Sequence, residues 1–336
     1  MREPVDYRAH LAALGLAPAD APNLLQAADD SWAALVRARH DLAEETWPEG
    51  LAVVALGSLG RLEASSASDL DLALVHRPER CAPEAAARAR EVAARRLRAL
   101  GLDVADKTFH RPVALDALIG DIGGQADSNE RLTYRALLLT EGAWLARAAD
   151  ARAITDALFR AYAGETIARG RFLGTLSNDL HRYYRTVCVD YRFKVDVAGK
   201  AWALRNLKLR HSRKIWHLAN LVLFCWAAAD PEEAREGRIA ENLGAPPLAR
   251  LLTGMAALGG AHLCAPLVRC YDVFVGALAD PALRARLDRL PHEGREADPD
   301  YARLRDNADR LEAAAQAIVA HLWDQSPAHL ARFGLL

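Results

Sequence analysis

Apolar residues recur at helical spacing from Ala21 to about Thr46, with Leu24, Leu25, Ala28, Trp32, Leu35, Val36 and Leu42 on the repeat, until Pro48-Glu49-Gly50 stops it. The period then changes. Leu51-Ala-Val-Val-Ala-Leu56 is a short apolar run with β-branched residues, broken by Gly57, and predicts a buried strand. Leu70 to Val75 predicts a second strand and Leu102-Asp-Val-Ala105 a third, separated by an Ala-, Arg- and Leu-rich helix from Pro83 to a C-cap at Gly101. Asp127 followed by Glu130 reads as a capping box, opening a helix through Leu132, Leu137, Leu138, Leu139 and Trp144. Beyond about Asp150 no run reads as a strand. Helical patterns follow one another there, punctuated by Pro231, Pro246-Pro247, Pro266, Pro281, Pro291 and Pro299. The expected architecture is an α+β domain over residues 1–150 and an all-helical domain over residues 151–336.

Two domains also suit a length of 336 residues, at about 100–200 residues per domain. Hydrophobic residues at 51% and charged residues at 26% exclude a disordered chain. The formal charge of −1 leaves no general field to gather nucleic acid, so any polyanion site must be local. Five scattered cysteines, Cys81, Cys188, Cys225, Cys264 and Cys270, show no zinc spacing and read as reduced thiols of a cytoplasmic protein. Leu218 to Ala229, the most apolar stretch, is too short for a membrane span of about 20 residues, and no membrane partner is expected.

The chemistry concentrates between residues 57 and 71. A strand runs into Gly57-Ser58, and Ser68-Asp69-Leu70-Asp71 opens the next one. Strand side chains alternate, so Asp69 and Asp71 share a face while Leu70 and Leu72 take the other. Two carboxylates so placed repel unless a cation lies between them, and an oxygen-only ligand set suits Mg²⁺ or Mn²⁺. Gly57 allows the backbone close to a triphosphate, Ser58 offers an N–H and a hydroxyl, and Arg61 can present a guanidinium fork. Each feature taken singly is a common turn or cap, but together they leave two acids on one face of a short apolar strand, which burial penalises without a counter-ion.

The run Gly-Ser-x-Gly-Arg-x-Glu from Gly57 to Glu63, with Ser-Asp-x-Asp from Ser68 to Asp71, resembles the DNA polymerase β-like nucleotidyltransferase superfamily. It looks most like the amino-terminal domain of PII uridylyltransferases over roughly residues 21–150. The resemblance implies a mixed sheet with flanking helices and transfer of a nucleoside monophosphate from an NTP, with loss of pyrophosphate. It also implies a third metal-binding carboxylate from a later strand. Asp103 is the choice and Asp106 the reserve, while Lys107 is either a phosphate contact or a solvated lysine. No His-Asp dipeptide follows, so the phosphohydrolase half of those enzymes is not expected, and the acceptor stays open between protein side chains, tRNA and small molecules.

Ten basic residues between Arg182 and Lys214 face only Asp190 and Asp196. Trp202 to Trp216 reads as one helix, with Leu204, Leu207 and His211 on one face and Arg205, Lys208 and Arg213 near another. Arg205 and Lys208 are the candidates for holding nucleotide phosphates, against the alternative of a solvated face. Tyr183, Tyr184, Trp202 and Trp216 are either base-stacking platforms or core. The rival to an enzyme is a catalytically silent module that binds a nucleotide or a partner.

Overall fold

The computed structural model describes residues 4–105, 109–164, 169–197 and 201–331. Asp106 and Lys107 lie outside the described residues.

A five-stranded mixed sheet occupies the N-terminal region. Its strands are β1 (Leu51–Leu56), β2 (Asp69–His76), β3 (Asp103–Val104), β4 (Val113–Ala114) and β5 (Ala143–Ala146). β1 is antiparallel to both β2 and β5, while β3 and β4 lie parallel to β2 along its other edge. Both faces of β1 are buried. Leu51, Val53 and Ala55 pack with Leu70, Leu72 and Leu74 beneath the Pro22–Leu42 and Pro83–Ala99 helices. Ala52, Val54 and Leu56 pack with Ala73 and Val75 against the Asn129–Thr140 and Ala148–Ala163 helices on the opposite face. That two-sided burial explains why the strands read as continuous apolar runs.

The rest of the chain is mostly helical, and among the described residues no strand follows Ala146. Its helices complete both sides of the sheet. Trp216 and Phe224 of Lys214–Ala229 join the core on the Asp71 side, and Tyr271 and Phe274 of Cys264–Ala279 join the other. Ala261–Ala279 is long and apolar enough to cross a membrane by length and composition alone, and 44% of that stretch is buried in the protein.

Two local expectations fail. The N-cap of Asn129–Thr140 is Ser128, whose hydroxyl accepts from Arg131 N, whereas Asp127 is buried against Arg135 and Arg182 at 2.8 and 3.0 Å. A second arginine outbids the cap for that carboxylate. The helix also stops at Thr140, and Gly142 introduces β5, so Trp144 is a strand residue. Both β4 and β5 were too short to leave a period in the sequence.

Candidate active site

β2 carries Asp69 and Asp71 on the face shared with Ala73 and Val75, as the alternation requires, with Leu70 and Leu72 in the opposite core. Asp71 is paired with Leu56, the last residue before the Gly57-Ser58 turn. Gly57 has a φ of +68°, and a Cβ built on it would run into the Asp71 carboxylate. Glycine is required here twice over, for the left-handed backbone and for the space Asp71 fills. Burial, and then the like charge of Asp69, push the Asp71 carboxyl above its ordinary pKa.

The turn continues into a five-residue helix, Gly57–Arg61, closed by Leu62 at a φ of 62°. Ser58 is half-buried, whereas its neighbours Gly57, Leu59, Gly60 and Arg61 are all buried. This helix is seated on Glu141. Gly57 N–H donates to Glu141 Oε1 at 2.9 Å and Arg61 Nη1 to Oε2 at 2.9 Å. A Cβ at Gly60 would strike the Glu141 carbonyl, so this turn also needs glycine. Thr140, just before Glu141, is itself fixed by the helical region, through Trp216 Nε1 at 2.9 Å and Arg250 at 3.3 Å.

Arg61 therefore differs from its expected role. Its guanidinium is buried between Glu141 and Glu63, the latter 3.0 Å from Nε. Burial opposes its charge, but the two carboxylates more than offset this and raise its pKa. It acts as an internal counter-ion that holds the turn rather than a fork offered to phosphate. Gly57 N–H is likewise committed to Glu141. Within the turn, Ser58 is the residue that keeps partial exposure.

The cations at the carboxylates come from the helical region. Trp202–Lys208 passes through a π-helical turn, Leu209–Arg213, before continuing as Lys214–Ala229. Five-residue hydrogen bonding in such a turn brings residues five apart to one side of the helix, where regular α geometry at 100° per residue would separate them. Lys208 and Arg213 are five apart. Arg213 Nη1 is buried 3.8 Å from Glu141 Oε2 with no hydrogen-bond partner among the described residues. Lys208 is pushed down to about 8 by burial and by Arg284, against the opposing pull of Asp69. Arg284, from the Pro281–Leu287 helix, places Nη2 3.9 Å from Asp69 Oδ1.

Other candidates fall elsewhere. Among the described residues Arg205 donates to Ala201 O at 2.7 Å and lies 3.7 Å from Asp288, rather than in contact with the carboxylate pair it was expected to serve. Tyr183 and Trp216 are core residues in edge-to-face contact, Tyr184 stacks on His217, and Trp202 packs against His292, so none stands as an open stacking platform. Asp103 pairs in register with Asp69 and so shares its face, but it is exposed at the sheet edge. Among the described residues no three metal-ligating side chains converge; of the expected carboxylates Asp69 and Asp71 lie together, and the reserve, Asp106, is outside the described residues. A pair of hard oxygen ligands is what Mg²⁺ takes from protein when phosphates and water complete its shell.

Glu141 and Arg284 escaped the sequence reading. Glu141 did leave a trace, as a lone acid in the apolar stretch Leu137 to Ala146. Arg284 left none, being one arginine in an ordinary amphipathic segment.

Residues 8–109 match the family model described as "Putative nucleotidyltransferase DUF294", a span that takes in β1, the Gly-Ser turn, β2 and β3. No curated protein matches the chain. The family match lies over this turn and carboxylate pair and supports a nucleotidyltransferase superfamily assignment for that span.

Proposed function

We propose that the protein is a metal-dependent nucleotidyltransferase that moves a nucleoside monophosphate from an NTP to an acceptor, with release of pyrophosphate. The observation that carries this reading is the pairing of Asp71 with Gly57: a strand carboxylate fills the place of a turn residue's side chain, beside Asp69 and near three partly buried cations. Asp69 and Asp71 would hold Mg²⁺ or Mn²⁺, which when bound supplies charge neutralisation for the entering and departing oxygens. Ser58 offers its hydroxyl to the triphosphate. Lys208, Arg213 and Arg284 balance the charge that builds on pyrophosphate as the bond from the acceptor oxygen to the α-phosphorus forms and the bridging P–O bond breaks. The acceptor is a protein side chain, a tRNA or a small molecule, and five free thiols suit a cytoplasmic setting.

The test is thermal stability with ATP, CTP, GTP and UTP, each with and without Mg²⁺. A nucleotide at 100 times its Kd adds about 2.7 kcal/mol. The expected result is a metal-dependent shift with one or more nucleotides, lost in Asp69→Asn and Asp71→Asn. No shift with any of them overturns the proposal and favours a silent partner-binding module.

A further inference from the structure

Two cations from separate parts of the helical region converge on Asp69. Arg284 sets Nη2 3.9 Å from Asp69 Oδ1 and donates from Nη1 to Ser68 Oγ at 3.5 Å, with its side chain only 16% exposed. Lys208 lies within electrostatic reach of both Asp69 and Arg284. Arg284 is not a freely wandering surface side chain. Its helix is capped by Asp280, which accepts from Ala282 N and Leu283 N, and the preceding segment is tied to the loop before β2 where Ser65 Oγ donates to Leu278 O at 3.3 Å. The backbone thus fixes this guanidinium beside a carboxylate assigned to a divalent ion.

An arginine beside Asp69 and a divalent cation on Asp69 oppose each other through like charge. The same guanidinium, once displaced, presents a planar donor fork suited to phosphate. We propose that Arg284 is a positioning residue that neutralises Asp69 in the metal-free protein, yields it to the divalent ion, and then engages the phosphates of the incoming nucleotide. This rests on the reading of Asp69 and Asp71 as the metal pair. It predicts that removing Arg284 has opposite effects on metal and on nucleotide.

The experiment titrates Mn²⁺ by electron paramagnetic resonance into the nucleotide-free protein, then titrates non-hydrolysable NTP analogues at saturating Mn²⁺, for wild type, Arg284→Met and Arg284→Lys. Arg284→Met should bind Mn²⁺ about two- to fivefold tighter, the range expected for a partly exposed ion pair removed from competition, and should bind the analogue about tenfold more weakly for want of a charged phosphate contact. Arg284→Lys, which keeps the charge, should stay close to wild type in the first titration. General damage to the fold would weaken both ligands together. Unchanged or weaker Mn²⁺ binding in Arg284→Met, or unchanged analogue binding, overturns the role of Arg284 while leaving the metal pair standing. Absence of any Mn²⁺ binding to the wild type overturns the metal pair and this inference with it.

Discussion

The carboxylate side and the cation side of this site are built by different means. Asp69 and Asp71 lie on one regular strand, fifteen residues or fewer from the turn they oppose, and their common face follows from alternation alone. Lys208, Arg213 and Arg284 come from three places in a helical region, and reach the same spot through a π turn, a buried contact to Glu141 and a tethered short helix. The acidic side is therefore a local property of the chain and the basic side a tertiary one. Glu141 joins them, because one carboxylate seats the turn through Gly57 and Arg61 and faces Arg213 from the helices.

The sharpest break in that comparison is Asp71→Asn. Nucleotidyl transfer should fall by on the order of a thousandfold, the scale of losing a main electrostatic group. Its melting temperature should hold or rise, since the change removes a buried charge crowded by Asp69 and Glu141. A fall in stability matching the fall in activity would make Asp71 a structural residue. Next in size is Glu141→Ala. It leaves Arg61 with Glu63 alone and Gly57 N–H without its acceptor, so unfolding by urea should show a loss of about 3–5 kcal/mol, as for a broken buried ion pair. A loss below about 1 kcal/mol would mean the turn stands without its seat.

The same division sets how much was legible. β1 and β2 were readable because both of their faces are buried and the acids interrupt an apolar run at spacing two. The helix over Pro83–Ala99 was readable from its composition and its terminal glycine. Arg61 was misread because nothing in its segment announces Glu141, which lies 80 residues on in sequence. Arg205 and Lys208, three residues apart on one helix, look equivalent in sequence, and only the packing of their helix decides which meets Asp69.

The helical region also carries histidines that burial holds in the neutral form. His217, stacked on Tyr184, is held down at about 3 by burial and by His181, Lys214 and Arg185, and His181 at about 4 by burial and by Arg185. Their folded pKa values lie below the unfolded value of about 6.5, so the unfolded chain binds more protons between those limits. Stability contributed this way is present above about pH 6.5 and is lost as pH falls toward 4. Between pH 7 and pH 5 each such histidine should remove about 1–2 kcal/mol. His217→Phe, which keeps a ring on Tyr184, should reduce the loss measured by urea unfolding at the two values by that amount. An identical loss in wild type and variant would place the proton uptake elsewhere.

The smallest effect is the most discriminating for the helix itself. Lys208→Gln and Arg205→Gln each remove one positive charge from Trp202–Lys208, so any general field of the basic segment would weaken equally in both. If position relative to Asp69 governs instead, Lys208→Gln should weaken nucleotide binding about tenfold, roughly 1.4 kcal/mol. Arg205→Gln, which disturbs contacts to Ala201 and Asp288 only, should stay within about 0.5 kcal/mol of wild type in both binding and stability. Measured side by side at two salt concentrations, a shared and salt-sensitive loss would argue for diffuse attraction. A loss confined to Lys208 would show that the π turn, which swings Lys208 and Arg213 to one side, is what converts a basic stretch of sequence into half of a site.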